Sequence, residues 1–219
     1  MFHLGWDDEL LSEYLPEWQA WLESLGALHN LNVPQCFTPK GFAIGVQELH
    51  VFDDASESAI AYVVYLRSVS TDGRVHVAFV SSVAKVAPKA ATSMPRLELC
   101  AALEAARATV GIISELRRKP TCVHCYSDIK VAQGYIFNET RAFRKYVERR
   151  TMEIQRHAPA SQWHYVNIQD NPAVVATRPA CPEALFKSHW LQGSKFLQEL
   201  GFEPEPYVNY KVVLPLPKR

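Results

Sequence analysis

The chain has no apolar run near the roughly 18 residues that cross a bilayer, and its opening, Met1-Phe2-His3-Leu4-Gly5-Trp6-Asp7-Asp8-Glu9, lacks the basic-then-apolar order of a secretory signal. No membrane partner is expected, and an intracellular setting, cytoplasmic or nuclear, is. The chain also lacks net charge: 23 Lys and Arg balance 23 Asp and Glu, so no global field gathers a polyanion as a dedicated nucleic-acid binder's would. Any such contact must come from a local patch. The cysteines Cys36, Cys100, Cys122, Cys125 and Cys181 are odd in number and scattered, which excludes a disulfide framework and suits a reducing compartment. There is no Gly-x-Ser-x-Gly elbow for a nucleophilic serine, no internal repeat and no low-complexity run.

What is present is material for one sizeable core: 219 residues, 48% apolar. Residues 1–47 read as an entry segment, with Trp6, Leu10, Leu11, Tyr14, Leu15, Trp18, Trp21, Leu22 and Leu25 at helical spacing and a connector holding Pro34, Pro39 and Gly41. A central domain over 48–180 follows, and then an extension over 181–219. Strand signals cover 48–52, 59–67 and 74–84, with Thr71-Asp72-Gly73 as a hairpin turn. The period then changes to a long helix over 96–118 closed by Pro120, a short strand over 121–127, a short helix over 128–137, a basic helix over 142–157 and a last strand over 162–168. Asp170-Asn171-Pro172 reads as the start of a terminal helix. The fold class expected is α/β, a mixed five-stranded sheet flanked by helices. Loops at the strand ends of such a sheet are where a site forms.

Three acids fall at such places. Asp54 ends the first strand in Val51-Phe52-Asp53-Asp54-Ala55-Ser56, Glu98 lies in the first turn of the long helix in Arg96-Leu97-Glu98-Leu99-Cys100-Ala101-Ala102, and Asp128 ends the fourth strand in Tyr126-Ser127-Asp128. Each alone is ordinary: Asp54 suits a turn, Glu98 a helix N-terminus, Asp128 an N-cap. Their order along this fold is what gathers them. Magnesium takes oxygen ligands in near-octahedral geometry, and two such ions about 3.5 to 4 Å apart serve phosphodiester hydrolysis by activating water and neutralising developing charge. The cofactor expected from these acids is therefore Mg²⁺ or Mn²⁺.

The segments Val-Phe-Asp-Asp-Ala-Ser (51–56), Pro-Arg-Leu-Glu-Leu-Cys-Ala-Ala (95–102), Tyr-Ser-Asp (126–128) and Asn-Pro-Ala-Val-Val-Ala-Thr-Arg (171–178) resemble the motifs of the ribonuclease H-like domain of BEL/Pao-type retrotransposon polyproteins. The resemblance spans about residues 4–200, and the entry segment is similar to the end of the reverse-transcriptase connection. It implies the ribonuclease H-like fold, Asp54, Glu98 and Asp128 as catalytic metal ligands, and metal-dependent endonucleolytic cleavage of RNA in an RNA/DNA hybrid.

The departures from the pattern bear on activity. The family's fourth acid falls on Val174, which cannot ligate a cation; the Ser expected after the third acid is Ile129; and the His expected after the last-strand Trp is Tyr165. A tyrosine hydroxyl, with an ordinary pKa of ~10, is a poor proton shuttle near neutral pH. Weak metal binding and impaired or lost cleavage are expected. The alternative is a non-catalytic, host-domesticated module that binds a protein partner or nucleic acid. If Met1 is the natural start, the chain looks like a host-captured fragment.

Arg141, Lys145 and Arg149, spaced i, i+4, i+8, form a candidate nucleic-acid-binding face of the basic helix. Cys122-Val123-His124-Cys125 has half the spacing of a zinc site, but no second pair lies at a suitable distance and the two thiols fall on opposite strand faces. Trp6, Trp18, Trp21 and Trp163 are expected as packing anchors, and Tyr126 and Tyr135 as residues that could meet a nucleic acid.

Overall fold

The computed structural model describes residues 5, 7–9, 11–88, 93–128, 130–138 and 143–205. After an entry helix, α1 (Leu15–Ser24), the chain builds a five-stranded sheet in the order β3-β2-β1-β4-β5. Its strands are β1 (Ile44–Ala55), β2 (Ala59–Ser70), β3 (Val75–Val86), β4 (Cys122–Ser127) and β5 (Trp163–Tyr165). β1, β2 and β3 form the expected antiparallel meander, and the turn into β3 uses Gly73 at φ 85°, a left-handed conformation that glycine adopts without a Cβ clash. β4 and β5 then add in parallel on the other side of β1. β1 starts earlier than its strand signal suggests, at Ile44, because the backbone continues the ladder opposite β2 even where Gly45 and Gln47 break the apolar run.

Side chains alternate across the sheet, and both faces are covered. Leu49 and Val51 face α2 (Met94–Glu115), α3 (Lys130–Ile136) and α4 (Lys145–His157), where they join Leu99, Ala102, Ala105, Ala106, Ile136, Ile154 and Trp163 in the larger core. Phe52, Val63, Tyr65 and Tyr126 face the other way, under Ala173, Trp190 and Leu197. The run of small residues in α2, Ala101-Ala102 and Ala105-Ala106, is fully buried and lets the helix approach the sheet closely enough to seat Glu98 over it. Pro95 at the start of α2 pre-sets its first turn.

Two expected elements differ from their sequence signals. The terminal helix at Asn171-Pro172 is a short 3₁₀ segment, Pro172–Thr177, with the Asn171 side chain accepting from Ala173 N at 3.1 Å. The last strand shrinks to Trp163–Tyr165 because Pro159 and the 3₁₀ turns at Ala160–Gln162 and Ile168–Asp170 bracket it. The extension packs on the core as expected through Trp190 and Leu197.

The tryptophans divide. Trp163 is an anchor at 1% exposure and donates from Nε1 to Ala158 O at 3.1 Å. Trp18 and Trp21 of α1 stack on each other at 5.0 Å but stay 49% and 50% exposed, and no residue of that helix is buried. Their apolar periodicity therefore builds no part of this core, and Trp6 lies outside the described residues. Trp18→Ala is expected to change unfolding free energy by less than about 0.5 kcal/mol, as an exposed substitution does; a urea midpoint shift of a core-like size would show that this helix packs in solution.

Candidate active site

β1 and β4 are neighbours in parallel register, with Phe52 opposite Tyr126, so Asp54, near the end of β1 and still paired with Ala61 of β2, and Asp128, just past the end of β4, lie at the same end of the sheet. The first turn of α2 brings Glu98 to that edge, and the Pro172–Thr177 segment closes it. The four acids Asp53, Asp54, Glu98 and Asp128 feel one another's charge. Burial first, then Asp128 and Asp54, push the Glu98 carboxyl up to about 8. Burial, then Asp54, raises Asp128 to about 6, tempered by the Asn171 amide and the nearby Arg178 guanidinium. Burial also raises Asp54, against the Thr177 hydroxyl that donates to its Oδ2.

Asp53 is a site residue that the sequence does not single out, because strand alternation assigns it the face opposite Asp54. It is 1% exposed, and burial followed by Asp128, Asp54 and Glu98 holds its carboxyl well above the usual range. Thr177, Asn171 and Arg178 are further site neighbours whose roles emerge only in the fold. Asn171 Nδ2 donates to Asp53 O at 2.9 Å while its Oδ1 caps the 3₁₀ segment. The signal for all three is their place in the fourth motif.

Three of the four acids have a hydrogen-bonding neighbour: Asp54 has Thr177, Asp53 has Ser127 and Asp128 has Asn171. Among the described residues no group of three or more His, Cys, Asp or Glu side chains is placed so that it could hold a metal ion. The donor chemistry nonetheless fits a hard divalent cation. All donors are carboxylate oxygens, and Glu98 Oε2 and Asp53 Oδ2 are buried without a hydrogen-bond partner, a condition that native structures rarely leave unexplained.

Val174 lies inside the 3₁₀ segment, three residues after Asn171 and three before Thr177, and its carbonyl accepts from Thr177 Oγ1 at 3.1 Å. It is thus in the loop that contacts the acids, with an apolar side chain. Tyr165 is 37% exposed under the Lys130 ammonium, 5.2 Å from its ring centroid. With Asp128, Asn167, Ile168, Gln169 and Asp170 it lines a cavity of about 540 Å³. Ile129 and Arg141 lie outside the described residues. Lys145 and Arg149 are exposed one turn apart on α4.

Tyr126 and Tyr135 are buried, Tyr126 against Phe52 at 4.5 Å and Tyr135 against Phe143, and neither is open to a base. This corrects the expectation for them: both rings are committed to packing. Cys122 is exposed and Cys125 buried, while His124 bonds His164 across the strands at 3.1 Å.

A mixed sheet of this order flanked by helices, with acids at the ends of β1 and β4 and at the start of α2, defines a ribonuclease H-like domain. The chain belongs to the family described as the Pao retrotransposon-like RNaseH-like domain, whose model matches residues 2–129. The match includes Asp54, Glu98 and Asp128 and ends before Tyr165 and Val174. No curated protein matches the chain.

Similar solved structures include an RNase H1 from the halophilic archaeon Halobacterium salinarum, 14% identical over 66% of this chain and 100% of that one, with a TM-score of 0.39. The N-terminal RNase H domain of a Mycobacterium tuberculosis protein, solved as a fusion with maltose-binding protein, is 9% identical over 62% of this chain and 94% of that one, at 0.40. A foamy viral protease-reverse transcriptase in complex with double-stranded DNA is 14% identical over 72% of this chain and 25% of that one, at 0.43.

Proposed function

We propose that this domain descends from a ribonuclease H and that Asp54, Glu98 and Asp128 are its metal ligands, for Mg²⁺ or Mn²⁺, in the endonucleolytic cleavage of RNA in RNA/DNA hybrids. The observation that carries the reading is the mutual electrostatic reach of these acids at one edge of the sheet, with Glu98 Oε2 buried and unpaired. When bound, the cation would supply charge neutralisation and activation of water. The chain's own residues hold the acids in place: Thr177 restrains Asp54, Asn171 faces Asp128, and the Arg178 charge offsets part of the acidic field.

Cleavage is weak or lost in this reading, because Val174 offers no oxygen where the family's motif has an acid. Incubating purified protein with a labelled hybrid in Mg²⁺ and in Mn²⁺ tests it. The expected result is slow cleavage that Asp128→Asn abolishes, or none. Turnover at the rate of a fully ligated ribonuclease H would overturn the role given to Val174.

A second reading, a non-catalytic module that binds a protein partner in the cytoplasm or nucleus, is favoured by the balance of 23 basic and 23 acidic residues and by the exposed Trp18, Trp21 and Leu22. Salt separates the two readings. Phosphate contacts weaken steeply as salt rises, whereas an apolar protein interface does not.

A further inference from the structure

We propose that Arg96 and Arg150, stacked about the ring of Tyr146, form a subsite for a backbone phosphate of a nucleic acid. The choice of nucleic acid rests on the nuclease reading above; the anion site itself rests on the geometry of the two guanidinium groups and on the unmet hydrogen bond of Arg150 Nε. The Arg150 guanidinium carbon lies 3.6 Å from the Tyr146 ring centroid and that of Arg96 5.0 Å from it. The ring is fixed in turn, its hydroxyl 3.3 Å from Cys100 Sγ on α2. Two positive charges are thereby held on one aromatic ring, against their mutual repulsion.

Among the described residues no carboxylate lies within ion-pair reach of Arg96 or Arg150, although Arg107, Lys85, Glu104 and Glu153 close by are all paired. Arg150 gives one long bond, NH1 to Tyr146 O at 3.4 Å, and its Nε is buried without a partner. A buried, unsatisfied guanidinium N–H is costly unless an acceptor completes it. Arg150 and Arg149, with Arg107 and the carboxylates Glu104 and Glu153 that it pairs, line a cavity of about 330 Å³ between α2 and α4.

A phosphate matches this arrangement. Stacking on the ring leaves the guanidinium edges free, and their N–H forks suit tetrahedral oxyanions better than a point charge does. Arg96 stands two residues before Glu98 in the first turn of α2, which puts a phosphate held here within a short stretch of backbone from the acids. The basic face legible in the sequence holds Lys145 and Arg149 of α4 but not Arg150, because Arg150 is distinguished only by what it stacks on.

The test is binding of a labelled RNA/DNA hybrid to the whole chain by fluorescence anisotropy, in EDTA to prevent cleavage, over a series of KCl concentrations. Arg150→Ala and Arg96→Ala are each expected to weaken binding about tenfold near 0.1 M salt and to reduce the salt slope by about one. Arg150→Lys should restore the slope but only part of the affinity, since lysine lacks the planar fork. Circular dichroism melts identify a variant that fails to fold, and the other arginine then carries the test. Unchanged slopes in both variants, with the wild type still binding hybrid, overturn the subsite and leave the nuclease reading intact. Absence of salt-dependent hybrid binding by the wild type overturns that reading, and this subsite as a nucleic-acid site with it. Competition by polyglutamate as strong as by hybrid makes the occupant an acidic peptide and also overturns the proposal.

Discussion

Val174→Asp should raise the rate of hybrid cleavage by about 10- to 100-fold, the range over which single groups around a metal site change affinity or activity. The residue lies between Asn171, which bonds the backbone of Asp53, and Thr177, which bonds the side chain of Asp54, so a carboxylate added there joins the loop that already touches the acids. Divalent affinity should rise with it, measured by calorimetric titration of Mn²⁺ into wild type and variant. A rise in affinity without cleavage would mean that the remaining acids bind but are not aligned. No change in either would show that the site has decayed beyond one position and would favour the binding-module reading.

Glu98→Gln should stabilise the fold at pH 8 while removing any metal-dependent activity. Glu98 ionises near 4.5 in the unfolded chain but is held up to about 8 in the fold by burial and by Asp128 and Asp54. The unfolded state therefore binds fewer protons than the folded one between those values, and stability falls as pH rises through that window. Replacing the carboxyl with an amide removes that loss, a gain on the order of 2–4 kcal/mol at pH 8 after allowing for a buried amide. At pH 5 the gain should shrink to less than about 1 kcal/mol. Urea unfolding at the two pH values checks this, and equal stability of both proteins at pH 8 would mean that Glu98 is not desolvated as the structure has it. Mg²⁺ should raise the wild-type melting temperature at pH 8 and leave Glu98→Gln nearly unchanged.

The opposite limb belongs to the buried His50 and His164 and the partly buried His124. Burial lowers His50, His164 and His124, the last to about 4. Their unfolded forms take up protons first as pH falls from 6.5, so their contribution is lost on the acid side. The acids and the histidines occupy separate places in the fold: His50 bonds Tyr126 at 3.1 Å and sits near Glu48, itself paired with Arg67 at 2.7 Å, beneath the Lys195–Gln198 segment.

Much of this architecture is legible in the sequence. Alternation and the Thr71-Asp72-Gly73 turn mark the meander, and a helical run free of internal proline marks α2, because local periodicity and turn chemistry act over a few residues. The Asn171 cap is legible too, but the segment after it is a 3₁₀ turn, since six residues pinned to β1 through Thr177 and Asn171 cannot complete a regular helix there. The entry segment shows helical spacing without a core to bury it. Spacing reports a face, and only a partner surface decides whether that face is covered.

The sequence by itself determined the class of this protein: three acids in a fixed order along an α/β pattern, with valine at the fourth position, carry the family resemblance before any contact is known. Only the tertiary structure decided where those acids lie relative to one another. It set β1 beside β4 in parallel register, seated Glu98 over the sheet through the small face of α2, and supplied Thr177 to restrain Asp54. It also drew Arg96 and Arg150 onto one ring from helices that lie far apart in the chain. The physical reason is range: backbone preference and hydrophobic period act between near neighbours, whereas desolvation and charge act through space and exist only once the chain has folded.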